Sequence, residues 1–120
     1  MSRVAGPVSI AELKAVVPPS PLVERQHVLV GFRSFPWGGV LPAFGVGMRL
    51  LDVGCGPGLL AYLLQRSGFR GSYLGIDPDP RKIERAKRWP GEDEERAFRA
   101  GRVAETSRGA YEQVALLDVL

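Results

Sequence analysis

Leu50-Leu51-Asp52-Val53-Gly54-Cys55-Gly56-Pro57-Gly58-Leu59-Leu60 is the stretch from which the fold can be read. Met48–Val53 is a short apolar run closed by a glycine, the length and boundary of a fully buried strand. Leu59, Leu60, Leu63 and Leu64 then repeat at helical spacing as far as Gly68, a residue suited to the left-handed position after a helix. Between strand and helix lies a glycine turn. Such a turn lets a ligand approach the backbone, because no Cβ stands in the way, and leaves the first helical amides available for polar contacts. The spacing excludes two common variants. A dinucleotide fingerprint, G-x-G-x-x-G, needs its third glycine where Leu59 stands, so the match is to G-x-G-x-G. No lysine and hydroxyl pair follows the turn, which excludes a P-loop.

Downstream, strands and helices alternate with short links. Ser72–Ile76 reads as a second strand closed by Asp77-Pro78, and Pro80–Trp89 as a shorter helix with Ile83 and Ala86 on one side. Gly91–Glu95 is an acidic loop, Ala97–Val103 a weak strand and Gln113–Leu120 a strong apolar strand. This alternation is the signature of an α/β fold with a parallel sheet of about four strands and flanking helices. Asp77 lies 19 residues after Gly58. In a βαβ unit that position faces the crevice at the strand ends, where a carboxylate accepts two hydrogen bonds from a ribose diol. An aspartate before a proline is also a common turn or helix-capping residue.

Upstream, residues 1–48 form a separate cap segment. Ile10–Val17 reads as a short amphipathic turn or helix, and Pro18, Pro19 and Pro21 break the chain after it. Leu22–Phe35 forms a helix weakened by Gly31 and ended by Pro36, with His27, the only histidine, on its surface. Phe32, Phe35, Trp37 and Phe44 then cluster among prolines and glycines. They read as an aromatic cap packed over a core, with a substrate lid as the sharper alternative.

Composition bounds the function. The chain has 120 residues, 45% hydrophobic and 24% charged, which suits one small domain and excludes wholesale disorder. Cys55 is the single cysteine, so no intrachain disulfide or thiolate zinc cluster forms, and a reducing, cytoplasmic setting is expected. The net charge of +3 is too small by itself to argue for nucleic acid. The longest uncharged run in the N-terminal half, Ser34–Met48, contains two prolines and four glycines and is shorter than the ~20 residues of a membrane span. Arg81, Lys82, Arg85, Lys87 and Arg88 crowd one segment, which reads as a solvated helix face, with a basic docking patch as the alternative.

The segment 49–120 resembles the N-terminal half of class I S-adenosylmethionine-dependent methyltransferases, which have a Rossmann-like sheet. Leu51-Asp52-Val53-Gly54-Cys55-Gly56-Pro57-Gly58 is similar to that family's first motif and Leu74-Gly75-Ile76-Asp77 to its second. Asp79-Pro80-Arg81-Lys82-Ile83-Glu84-Arg85-Ala86 resembles the helix start that follows, and Ala115-Leu116-Leu117-Asp118-Val119-Leu120 the fourth strand. The resemblance implies S-adenosylmethionine as cofactor and methyl transfer to an unidentified acceptor, a small molecule being favoured.

Residue by residue, the resemblance lets the methionine and ribose parts lie against Gly54, Gly56 and Gly58. Asp52 fixes the loop or reaches the methionine amino group, Asp77 binds the ribose hydroxyls, and Pro78 flanks the adenine. Cys55 fills a small-residue position of the loop and reads as packing, not as a nucleophile. Two departures from the family stand out. Its acidic residue after the third strand is replaced by Arg102, which moves the adenine contact to the Val103 backbone or to Glu105. Its seven-stranded sheet is cut here to four, which predicts self-association through an exposed edge. Asp118 is the single candidate for a catalytic base, needed only if the acceptor must lose a proton. Two other readings remain open at this point: a cofactor-binding module without turnover, and a Rossmann protein using a nicotinamide dinucleotide.

Overall fold

The computed structural model describes residues 8–35, 37–44, 48–91, 96–102, 111 and 113–115. Ser9 opens the first helix, α1 (Ile10–Val16), its hydroxyl accepting from the Glu12 amide at 3.1 Å. Pro18 and Pro19 stop it, and α2 (Leu22–Ser34) starts directly after Pro21. Phe35 leaves the helix with extended backbone, as the residue before a proline must. A short α3 (Trp37–Val40) and a 3-10 turn (Leu41–Ala43) lead into the sheet.

β1 (Arg49–Val53), α4 (Leu59–Ser67), β2 (Ser72–Asp77), α5 (Pro80–Ala86), β3 (Arg96–Ala100) and β4 (Gln113–Ala115) follow in order. Among the described residues all strand pairs are parallel, and the spatial order is β3-β2-β1-β4. The expected α/β architecture with a four-stranded Rossmann-like sheet is therefore what the chain forms. Strands β2 and β3 extend to one side of β1 while β4 lies on the other. That reversal is the topological switch at which open α/β sheets bind ligands, outside the carboxyl ends of the strands.

One core layer lies between sheet and helix, where Leu50, Tyr73 and Ala115 meet Leu60, Ala61 and Leu64 of α4. A second lies on the other side of α4, where Leu13, Val17, Val28 and Leu29 of the N-terminal region pack on Tyr62, Leu63 and Trp89. Trp37 contributes to both layers, Phe44 to the first and Phe32 to the second, so these aromatics are packed as the cap reading expects. Phe35 sits against Trp37 with ring centroids 4.5 Å apart.

Polar clamps fasten the same contact. Glu12 receives the Tyr62 hydroxyl at 2.6 Å and takes Arg66 through two bonds, at 2.6 and 2.7 Å. This holds the Glu12 carboxyl down at about 2, chiefly through the Arg66 guanidinium. Glu24 on α2 pairs with Arg85 on α5 at 2.8 Å. Arg85 is thus drawn inward, whereas Arg81, Lys87 and Arg88 remain on the solvated face the charge pattern suggests.

Two elements differ in their bounds from the sequence expectations, and a third is described only in part. The helix expected over Pro80–Trp89 stops at Ala86, because the chain tightens there (Arg88 N to Arg85 O, 3.0 Å) and Trp89 turns to donate Nε1 to the Pro57 carbonyl at 2.6 Å. The strand expected over Ala97–Val103 runs instead over β3, because its length is set by β2: Arg96 pairs with Tyr73 and Ala100 with Asp77. The Gly101 amide then closes that ladder on the Asp77 carbonyl at 3.0 Å. Of the strand expected over Gln113–Leu120, β4 is the described part, and residues 116–120 lie outside the described residues. Among the described residues β4 is an edge strand with Val114 exposed.

Candidate functional site

The glycine turn sits at the carboxyl ends of β1 and β2, and the β1–β2 register builds it. Leu51 pairs with Leu74, Asp52 with Gly75 and Val53 with Ile76. The next two amides, of Gly54 and Cys55, both donate to the Ile76 carbonyl, at 2.9 and 3.0 Å. The Gly56 amide then donates to Asp77 Oδ2 at 3.1 Å. Gly54, Gly56 and Gly58 all have positive φ, the conformation that glycine adopts without steric cost. At Gly58 there is a second requirement. A Cβ there would meet the Cα and Cβ of Ala86 at 3.0 Å and Trp89 at 3.2 Å, so the turn is pressed against the end of α5.

Asp77 fills the turn role weighed from the sequence and adds a hold on the glycine loop. Its Oδ1 accepts from the Asp79 amide at 2.9 Å, which is the turn role, while Oδ2 holds the glycine loop. Each oxygen thus accepts one backbone bond, and a carboxylate has about four acceptor positions in all. Acceptor capacity toward a diol therefore remains. Asp79 caps α5 by accepting from the Arg81 amide at 2.9 Å, and that bond lowers its own pKa. Pro78, between them, is exposed beside the loop.

Asp52 is 3% exposed and accepts the Tyr73 hydroxyl at 2.5 Å. Burial and the Asp52 charge push the Tyr73 hydroxyl well above its ordinary pKa, so it stays a donor. Cys55 is buried with Sγ 3.6 Å from the Gly56 carbonyl, and burial raises its thiol well above the ordinary value. A thiol so placed packs and does not attack.

The structure therefore brings together Asp52, Gly54, Cys55, Gly56, Gly58, Asp77 and Pro78. Val103 and Asp118 lie outside the described residues, as does Glu105. Arg102, in place of the family's acidic residue, is exposed just past β3. Sequence reasoning missed three supports of the site: Tyr73, Gly75 and Trp89. Tyr73 carried a signal, being a polar-tipped aromatic in a strand next to one with a buried aspartate. Trp89 carried none, because its bond to Pro57 spans 32 residues.

A family model described as a methyltransferase domain matches residues 31–120, three quarters of the chain. The chain belongs to the methyltransferase-domain family. The family resemblance drawn from the sequence is thereby borne out. Its curated relatives include a ubiquinone biosynthesis O-methyltransferase of Methylocella silvestris, 57% identical over 42 residues. Those residues are 35% of this chain and 16% of the relative. Among solved structures, an S-adenosylmethionine-dependent methyltransferase from Mesorhizobium loti superimposes with a TM-score of 0.54 at 18% identity, over 68% of this chain and 39% of the other. The magnesium protoporphyrin IX methyltransferase of Synechocystis, solved with S-adenosylmethionine bound, gives 0.54 at 18% identity, over 80% and 49%. These likenesses are of fold. The methyltransferase domain described here spans less than half the length of either solved chain.

Proposed function

We propose that this methyltransferase domain binds S-adenosylmethionine and serves methyl transfer to a small-molecule acceptor. The observation that carries the reading is the Gly56 amide bonded to Asp77 Oδ2, which joins the glycine turn and the strand-end carboxylate into one cradle at the switch point. The bound cofactor would supply an electrophilic methyl carbon on a sulfonium. The chain's part is to bind and orient. Gly54, Gly56 and Gly58 give the methionine and ribose parts a surface without Cβ atoms, Asp77 takes the ribose hydroxyls, and Asp52 serves the amino end. In the same proposal Pro78 and the Val103 backbone flank the adenine, and Asp118 takes a proton where the acceptor has one to lose.

Residues 1–48 are proposed as the cap of this domain. Among the described residues no helix is long and apolar enough to cross a membrane. The single, buried cysteine supports a cytoplasmic placement. The nicotinamide reading is disfavoured by Leu59, which stands where that fingerprint needs glycine and packs toward the N-terminal helices.

Titration calorimetry with S-adenosylhomocysteine and with NAD tests the reading. The product analogue is expected to bind and the dinucleotide not, and Asp77→Ala to weaken the analogue roughly tenfold or more. Tighter binding of NAD would overturn the reading. Incubation with methyl-labelled cofactor and the small-molecule fraction of a cell extract then reports turnover. Binding without transfer would leave a cofactor-binding module.

A further inference from the structure

Tyr73 is a buried polar group that the proposed cofactor contacts do not use. It is the second residue of β2, one strand away from Asp52, and its register partner on β1 is Leu50, two residues before that aspartate on the same face. To meet Asp52 the ring must lie across the position of Gly75, the register partner of Asp52. A Cβ on Gly75 would come within 2.9 Å of the Tyr73 hydroxyl, of Cys55 Sγ and of the Phe98 ring. The missing side chain is therefore the slot through which the tyrosine reaches. Phe98 holds the ring edge-on at 5.6 Å, and the Arg96 guanidinium lies 5.9 Å from the Phe98 centroid.

The chemistry of the pair follows from its burial. A carboxylate taken out of water keeps its charge only where hydrogen bonds replace the lost solvent. A hydroxyl donating to a charged oxygen makes one of the stronger and more directional of such bonds. The ring is fixed by packing on both sides of the slot, so the bond fixes the plane of the carboxylate.

We propose that Tyr73 is a positioning residue of the cofactor site, holding the Asp52 carboxylate in the orientation from which it receives the ammonium group of the methionine part. The inference rests on the reading of the glycine turn as an S-adenosylmethionine site. It makes Tyr73 act on one end of the ligand only, because the adenosine end is served by Asp77 on the next strand position along the cradle.

The test compares two probes by calorimetry: S-adenosylhomocysteine, which carries the amino acid part, and 5′-methylthioadenosine, which lacks it. Tyr73→Phe is expected to weaken the first roughly tenfold, the effect of losing a bond to a charged group, and the second less than about twofold. Equal weakening of both probes would show a merely structural tyrosine and overturn the proposal. Where Tyr73→Phe does not fold, the comparison is made in an Asp52→Asn background, which leaves no buried charge unpaired. There Tyr73→Phe is expected to add nothing to the loss for S-adenosylhomocysteine, and a further loss would overturn the proposal. Failure of the unsubstituted chain to bind either probe would instead overturn the cofactor reading itself.

Discussion

Two glycine-to-alanine substitutions should move stability in opposite directions, and the structure supplies the magnitude of each. Gly58 heads α4 with φ of +96°, and an alanine there must hold a left-handed conformation at a cost of about 1–2 kcal/mol. Its new methyl would also lie 3.0 Å from Ala86 Cα. That atom is helix backbone, so relief requires moving α5 away from α4, and overpacking of this kind costs about 1–3 kcal/mol. The two together predict a loss of about 2–5 kcal/mol, a large share of the ~5–15 kcal/mol that stabilises a typical domain. Gly31 is the control. It lies inside α2, and nothing stands within 4 Å of the Cβ it lacks. Gly31→Ala should therefore gain about 0.5–1 kcal/mol, chiefly by restricting the unfolded chain.

Urea unfolding followed by far-UV circular dichroism reads both, as a lower midpoint for Gly58→Ala and a higher one for Gly31→Ala at unchanged slope. A loss at Gly58 below about 0.5 kcal/mol would refute both the left-handed backbone and the close approach of the turn to α5, since the backbone cost alone exceeds it. A loss at Gly31 of similar size to that at Gly58 would refute the claim that the turn is special.

The clamp on Glu12 predicts a pH dependence. Its carboxyl lies at about 2 in the fold against 4.5 when unperturbed, so the stability it contributes is complete above about pH 4.5 and lost as the pH falls toward 2. The side chain is partly solvated, so about 1–2 kcal/mol is at stake, and Glu12→Gln should flatten the acid limb of a stability profile while leaving neutral-to-alkaline behaviour in place. On the alkaline side Tyr62 is raised to about 12, first by burial and then by Glu12. Stability should therefore fall as the pH rises above about 10, and Tyr62→Phe should remove that limb. An acid limb unaltered by Glu12→Gln would count against the clamp. Finally, the edge position of β4 predicts reversible dimers of the isolated chain in sedimentation velocity, growing with concentration, and a monomer at every concentration would sink that expectation.

The order of strands and helices was legible because each element is locally consistent. β1 is a continuous apolar run, α4 has leucines at helical spacing, and glycines stand at both of its ends. Ends set by a distant partner were not legible. α5 stops three residues early because Trp89 is recruited by a carbonyl 32 residues away, and β3 ends where β2 does. The same division holds at the site. Asp52, Asp77 and the glycines stand in a spacing that local chemistry explains. Tyr73 and Gly75 matter only through the pairing of β1 with β2, which places an absent side chain opposite a buried charge.

That pairing also explains why the cradle is formed within a four-stranded sheet. The loop's first two amides share the Ile76 carbonyl and its third takes Asp77, so each bond leads to β2 and none needs β4 or residues beyond it. On the other side, the Pro57 carbonyl is held by Trp89, which stacks on Tyr62 at 4.8 Å, and Tyr62 donates to Glu12 in the first helix. The loop is therefore anchored to the sheet by backbone bonds and to the N-terminal helices by a row of aromatic contacts. Groups fixed from both sides lose little freedom when a ligand arrives, which is the condition under which backbone amides and a single carboxylate suffice to bind. The glycine turn owes its shape to its own sequence and its rigidity to these two supports.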